Sequence, residues 1–153
     1  MSFLKSLRHR AAPSSARDYR NDGESCLAQG KYGQAINDFT KAIRLDPTNP
    51  TTYLDRGLAY EEEGHYQEAI NDYDAAIRFD PGNAAAYCNR GNAYFALDDF
   101  DQAISDYTEA VRLDPNFALA YYYRGLAHLE KGEAARGKLD QEKAITLDPV
   151  LMP

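Results

Sequence analysis

The side chains able to do chemistry are few and scattered. Histidines stand at positions 9, 65 and 128, cysteines at 26 and 88, and an acidic run at Glu61-Glu62-Glu63. A reactive thiol needs a base or a cation beside it, and Cys88 has no neighbouring histidine or lysine in the sequence. Consecutive residues on a helix splay to different faces, so the glutamate run reads as a solvated helix end rather than a cation cradle. No glycine-rich phosphate loop, Cys-x-x-Cys or His-Glu-x-x-His motif occurs. The expectation is therefore a non-enzymatic chain with no catalytic residue, metal ligand or cofactor.

The elements that would position these side chains are repeats. Leu45-Asp46-Pro47, Phe79-Asp80-Pro81, Leu113-Asp114-Pro115 and Leu147-Asp148-Pro149 recur every 34 residues. A constant period of this length marks stacked units that cannot bury their apolar faces alone, so function moves to an extended surface and recognition replaces catalysis as the default. The units run 16–49, 50–83, 84–117 and 118–151, behind a basic tail over 1–15 that reads as disordered. Each unit holds two helical patterns. The first carries an aromatic at its fourth position (Tyr19, Tyr53, Tyr87, Tyr121) and glycine at its eighth (Gly23, Gly57, Gly91, Gly125). The second carries a small residue at unit position 20 (Ala35, Ala69, Ala103, Gly137), expected to face that glycine in a tight helical hairpin. Gly30, Gly64 and Gly132, with Asp98 in the third unit, stand where the first helix should end. Asn49 and Asn83 supply caps for the next one, and the Asp-Pro pair breaks the chain between units.

Formal charge is −7, with four cations and no acid in the first 17 residues, so residues 18–153 carry −11. That acidic body repels phosphate backbones and argues against a nucleic-acid partner. Cys26 and Cys88 fall two units apart, too far for an internal disulfide between helices stacked about 8–10 Å from each other. Two reduced thiols fit a cytoplasmic location. No run of eighteen apolar residues and no secretory leader is seen, which argues against a membrane partner.

The spacing resembles the tetratricopeptide repeat over residues 16–151, with tyrosine in place of the family's first tryptophan, and arginine or aspartate in place of the leucine before the glycine. The resemblance implies an all-α, right-handed α-solenoid of four helix-turn-helix units, whose first helices line a concave groove and whose members hold peptide segments of partners. The groove-facing positions of that family place Leu54, Asp55, Leu58, Cys88, Asn89, Asn92, Phe95, Tyr122, Tyr123 and Leu126 on the concave surface. Ten of the twelve tyrosines sit at packing positions, leaving Tyr122 and Tyr123 as surplus aromatics. They are either binding anchors or packing of a terminal repeat. Some members clamp the C-terminal carboxylate of a chaperone with lysine, arginine and asparagine. Asn89 fits that pattern, whereas Leu54, Leu58, Leu119 and Tyr123 occupy its other places, and the alternative frame from Arg20 meets Glu24, Asp55 and Ala85. The expected ligand is instead a protein or peptide segment with an apolar or aromatic anchor and basic flanks suited to Asp55, Glu61, Glu62 and Glu130.

Three further expectations concern the ends and the charges. Lys138 and Gln141 replace apolar residues of the earlier units, which marks the fourth unit as a cap. Arg56, Arg90 and Arg124 recur where the first unit has Asp22, and each is expected to pair with the aspartate of the preceding unit, Asp38, Asp72 and Asp106 in turn. The tail, with Phe3, Leu4 and Leu7 among its cations, reads as an unstructured leader, a weak membrane-surface segment or a self-docking arm. The last two leave a homo-oligomeric structural subunit and a membrane-recruited adaptor as rival functions.

Overall fold

The computed structural model describes residues 15–151. Of the basic tail expected at 1–15, all but Ser15 lies outside the described residues. Eight helices follow one another: α1 (Ala16–Ala28), α2 (Tyr32–Leu45), α3 (Pro50–Glu62), α4 (Tyr66–Phe79), α5 (Ala84–Ala96), α6 (Phe100–Leu113), α7 (Ala118–Glu130) and α8 (Ala134–Leu147), with a closing 3-10 turn over Pro149–Leu151. The described residues contain no strand.

Local chemistry sets the helix ends. The Ser15 hydroxyl accepts the Asp18 N–H at 3.1 Å while the Asp18 carboxylate accepts the Ser15 N–H at 3.2 Å, a reciprocal cap that starts α1. Asn49 accepts the Thr51 N–H at 3.0 Å and Asn83 the Ala86 N–H at 3.1 Å, starting α3 and α5. The first helix of each hairpin is followed by a left-handed residue, with φ of 70°, 77° and 77° at Gly30, Gly64 and Gly132 and 59° at Asp98. Aspartate is among the few side-chain-bearing residues that visit this region. The recurring aspartate does more than precede proline. Asp46, Asp80, Asp114 and Asp148 each accept the N–H two residues on, at 3.0–3.3 Å, folding the inter-unit turn around the proline.

Each odd helix packs on the even helix that follows it, and each even helix on the next odd one. The odd helices also touch one another in the order α1–α3–α5–α7. Helices that approach across a turn of a solenoid lie on the inside of its curve, so the odd helices form the concave layer. The core repeats with the sequence: Phe39, Tyr73 and Tyr107 are fully buried, bracketed by Ala35, Ala69 and Ala103 and by Ala42, Ala76 and Ala110. Burying each ring contributes about 2–3 kcal/mol.

The tightest approach at the glycines is made by a ring. In the first three units the glycine faces the aromatic ring of the second helix: a Cβ on Gly23, Gly57 or Gly91 would sit 2.5–2.7 Å from Phe39, Tyr73 or Tyr107. In the fourth unit, where Gln141 replaces that ring, Gly125 meets the small residue Gly137, through its carbonyl oxygen at 2.9 Å.

The arginine pairing is also corrected. Arg56 grips Asp72 with two bonds of 2.7 Å, Arg90 grips Asp106 at 2.8 and 2.7 Å, and Arg124 grips Asp140 with two of 2.7 Å. The partner is the aspartate of the same unit, because an antiparallel hairpin brings these positions face to face. The preceding unit receives only the remaining nitrogen: Arg56 Nη1 donates to Thr40 at 2.9 Å, Arg124 Nη1 to Thr108 at 3.2 Å and Arg90 Nη1 to Asp74. Each guanidinium therefore ties its own hairpin together and links it to the one before, which the first unit cannot do.

Candidate functional site

The concave layer presents a pocket of about 240 Å³ lined by Glu61 of α3, Asn92 and Phe95 of α5, Tyr107 of α6, and Tyr123 and Leu126 of α7. Four of the expected groove residues, Asn92, Phe95, Tyr123 and Leu126, meet here. A larger recess of about 340 Å³ at the other end, lined by Ser15, Arg17, Arg20, Asp46, Asn49 and Thr52, is mixed in charge and lacks the aromatic walls that usually hold a ligand.

The pocket is built from the fold's own regularities. Two buried tyrosines hold its polar groups: Tyr107, itself in the lining, donates to Asn92 Oδ1 at 2.9 Å, and Tyr73 donates to Glu61 Oε2 at 2.7 Å. Tyr123 stacks beside Tyr107 with ring centroids 6.1 Å apart, and Phe95 makes an edge contact with Phe100 at 5.2 Å. These contacts hold both rings and leave each half-buried. Burial pushes the Glu61 carboxyl above its ordinary range and the Glu62 charge adds to this, opposed by the Tyr73 hydrogen bond.

Other expected residues are placed differently. Leu54 is half-buried against Ala69, Ile70 and Tyr73, and Leu58 and Asn89 are half-buried on α3 and α5. Asp55 lies toward α1, where burial and then the Glu24 charge push its pKa up to about 6 against the pull of Arg20. Arg20 itself sits 3.0 Å from Glu24. Cys88 does not open into the groove. It is only 3% exposed, packed with Ala103, Tyr107 and Ala120, and burial pushes its thiol up to about 12. Both cysteines are free thiols. Tyr122 meets Tyr123 edge-on at 5.5 Å but lines a separate recess with Gln141, Ile145 and Leu151. The last hairpin has no following helix among the described residues to cover that face, so the ring turns onto α8 and the closing turn.

Two members of the pocket carry little sequence signal. Glu61 belongs to the run that reads as a solvated end and is also read as an acid for basic flanks, and its carboxylate is held by Tyr73. Tyr107 is a packing residue by position and reaches the groove only through its hydroxyl edge. Of the two described histidines, His65 is exposed beside Glu63, and His128 is buried with Nδ1 2.8 Å from Glu133 Oε2. No cluster of metal-binding side chains exists among the described residues, and none of their helices is long and apolar enough to cross a membrane.

Family models described as tetratricopeptide repeat match residues 84–117 and 118–150, and one described as TPR repeat matches 23–64 and 62–98. Among solved structures, a crystal structure of MamA shares 27% identity over 91% of this chain and 81% of its own, with a TM-score of 0.86. MamA 41-end from Desulfovibrio magneticus RS-1 shares 27% over 91% and 78%, with a TM-score of 0.82. The first TPR of Spaghetti (RPAP3), bound to the HSP90 peptide SRMEEVD, shares 30% over 77% of this chain and 94% of its own, with a TM-score of 0.76. No curated protein sequence matches the chain.

Proposed function

Because this chain belongs to the tetratricopeptide repeat family, we propose that it is a non-enzymatic protein-interaction scaffold that holds a segment of a partner protein in its concave groove. The observation that carries this reading is the pocket between α3, α5 and α7, where half-buried Phe95 and Tyr123 stand beside Leu126 and the hydrogen-bonded Tyr107. Preordered aromatic surface in a concavity supplies contact area at low entropic cost.

The charges support a ligand unlike the one held by the Spaghetti (RPAP3) domain. The peptide SRMEEVD in that structure ends on two glutamates and an aspartate around a valine. Here the groove helices carry Glu24, Asp55, Glu61 and Glu62, while Arg56, Arg90 and Arg124 are committed to Asp72, Asp106 and Asp140. An acidic tail would meet like charge and no cationic clamp.

The test places a photo-crosslinking amino acid at Leu126 and, separately, at the exposed Leu139 of α8. Adducts with a partner formed from Leu126 and lost on adding Tyr123→Ala support the groove. Adducts from Leu139 alone put binding elsewhere and end this reading, and an adduct of twice the chain mass at Leu126 makes a second copy the occupant.

A further inference from the structure

The groove reading leaves open what enters the pocket, and the pocket itself combines two chemistries that few ligands satisfy together. Its walls are aromatic and aliphatic, from Phe95, Tyr107, Tyr123 and Leu126, and its rim carries the carboxylate of Glu61. Resting on that reading, we infer that the pocket takes a lysine or arginine side chain of the partner segment, the alkyl stem against Phe95, Tyr123 and Leu126 and the cationic head at Glu61.

Three observations carry this. The first is that Glu61 is held in place: its Oε2 accepts the hydroxyl of Tyr73, a fully buried ring that cannot swing away. The second is that the carboxylate is short of positive charge. Burial and Glu62 both disfavour its ionised form, the Tyr73 hydroxyl alone favours it, and no cation of the described residues enters that balance. The arginines of α3, α5 and α7 are turned away to the aspartates of α4, α6 and α8. A carboxylate that has lost water without gaining a cation is stabilised when an incoming ammonium or guanidinium supplies one. The third is the character of the walls. A small hydrated ion gains nothing from aromatic surface, whereas a cation on an alkyl stem gains from both ring faces and aliphatic contact.

The experiment pans a random dodecapeptide display library against the full chain, then titrates one synthetic selected peptide alongside a version with norleucine at the basic position. Selected sequences are expected to carry lysine or arginine next to an apolar residue. Norleucine keeps the stem and deletes the charge, and is expected to weaken binding at least about tenfold on the wild type and about twofold or less on Glu61→Gln. Glutamine can still accept the Tyr73 hydroxyl, and the norleucine comparison on wild type requires no altered protein. A pool without basic enrichment, or a norleucine peptide that binds as well as its parent, overturns the inference. If such a peptide still loses affinity on Tyr123→Ala, the groove reading survives alone. Peptides indifferent to Tyr123→Ala remove both.

Discussion

Replacing Gly91 with alanine should destabilise the protein, although alanine is the better helix former. A Cβ at this position would lie 2.7 Å from Cε1, 3.0 Å from Cδ1 and 3.1 Å from Cζ of Tyr107. Carbon atoms in good contact sit about 3.5–4.0 Å apart, so the ring must retreat. It is fully buried, stacked on Tyr123 and tethered through its hydroxyl to Asn92. Overpacking of this kind costs about 1–3 kcal/mol, and losing the tether adds about 1 kcal/mol. The gain from replacing a helical glycine is about 0.5–1 kcal/mol. The net expectation is a loss of about 1–3 kcal/mol, read as a lower urea midpoint by circular dichroism. The control is Tyr107→Leu: in that background Gly91→Ala should cost nothing further, since no ring remains to strike. Wild-type or higher stability for the single variant would refute the packing argument.

The arginine ladder gives a second test. Asp72→Ala strands the Arg56 guanidinium, 17% exposed in its side chain, with only the neutral Thr40 hydroxyl, and should cost about 2–4 kcal/mol in chemical denaturation, while a double-mutant cycle between Asp72 and Arg90 should show no direct coupling. Asp98→Gly relieves a side-chain-bearing residue at φ 59° and should raise the urea midpoint by the equivalent of about 0.5–1 kcal/mol. Asp55, with its pKa raised to about 6, binds its proton more tightly folded than unfolded, so its contribution to stability falls as pH rises from about 4 to 6. Asp55→Asn should flatten that window and stabilise the protein at pH 7 by about 1 kcal/mol after solvent screening, and a variant with an unchanged pH profile would refute the assignment. Cys88, buried with its thiol pushed up to about 12, should resist alkylation at pH 8 until denaturant opens the array, as mass spectrometry of the labelled protein would show.

The sequence by itself determined the features written in short-range chemistry. Helix starts at Asn49 and Asn83, the left-handed ends at Gly30, Gly64 and Gly132, and the breaks at each Asp-Pro depend on groups within a few residues of one another. Repetition of those signals every 34 residues makes stacked hairpins the packing that buries Phe39, Tyr73 and Tyr107. Asn92, Phe95, Tyr123 and Leu126 stand at positions that the family resemblance puts on the concave surface, and the pocket lining includes all four.

What only the tertiary structure decided is the choice among partners that the sequence offers on nearly equal terms. Arg90 lies between Asp72 and Asp106 along the chain, and hairpin geometry alone gives it Asp106. Cys88 and Tyr122 both occupy positions read as groove-facing, yet one is buried and the other turns to the closing turn. Glu61 reads both as part of a solvated helix end and as a groove acid, and the hydroxyl of Tyr73 on the next helix fixes it at the pocket. In each case the outcome depends on which neighbouring helix fills the space beside a side chain, and a repeat pattern that is the same in every unit carries no record of that.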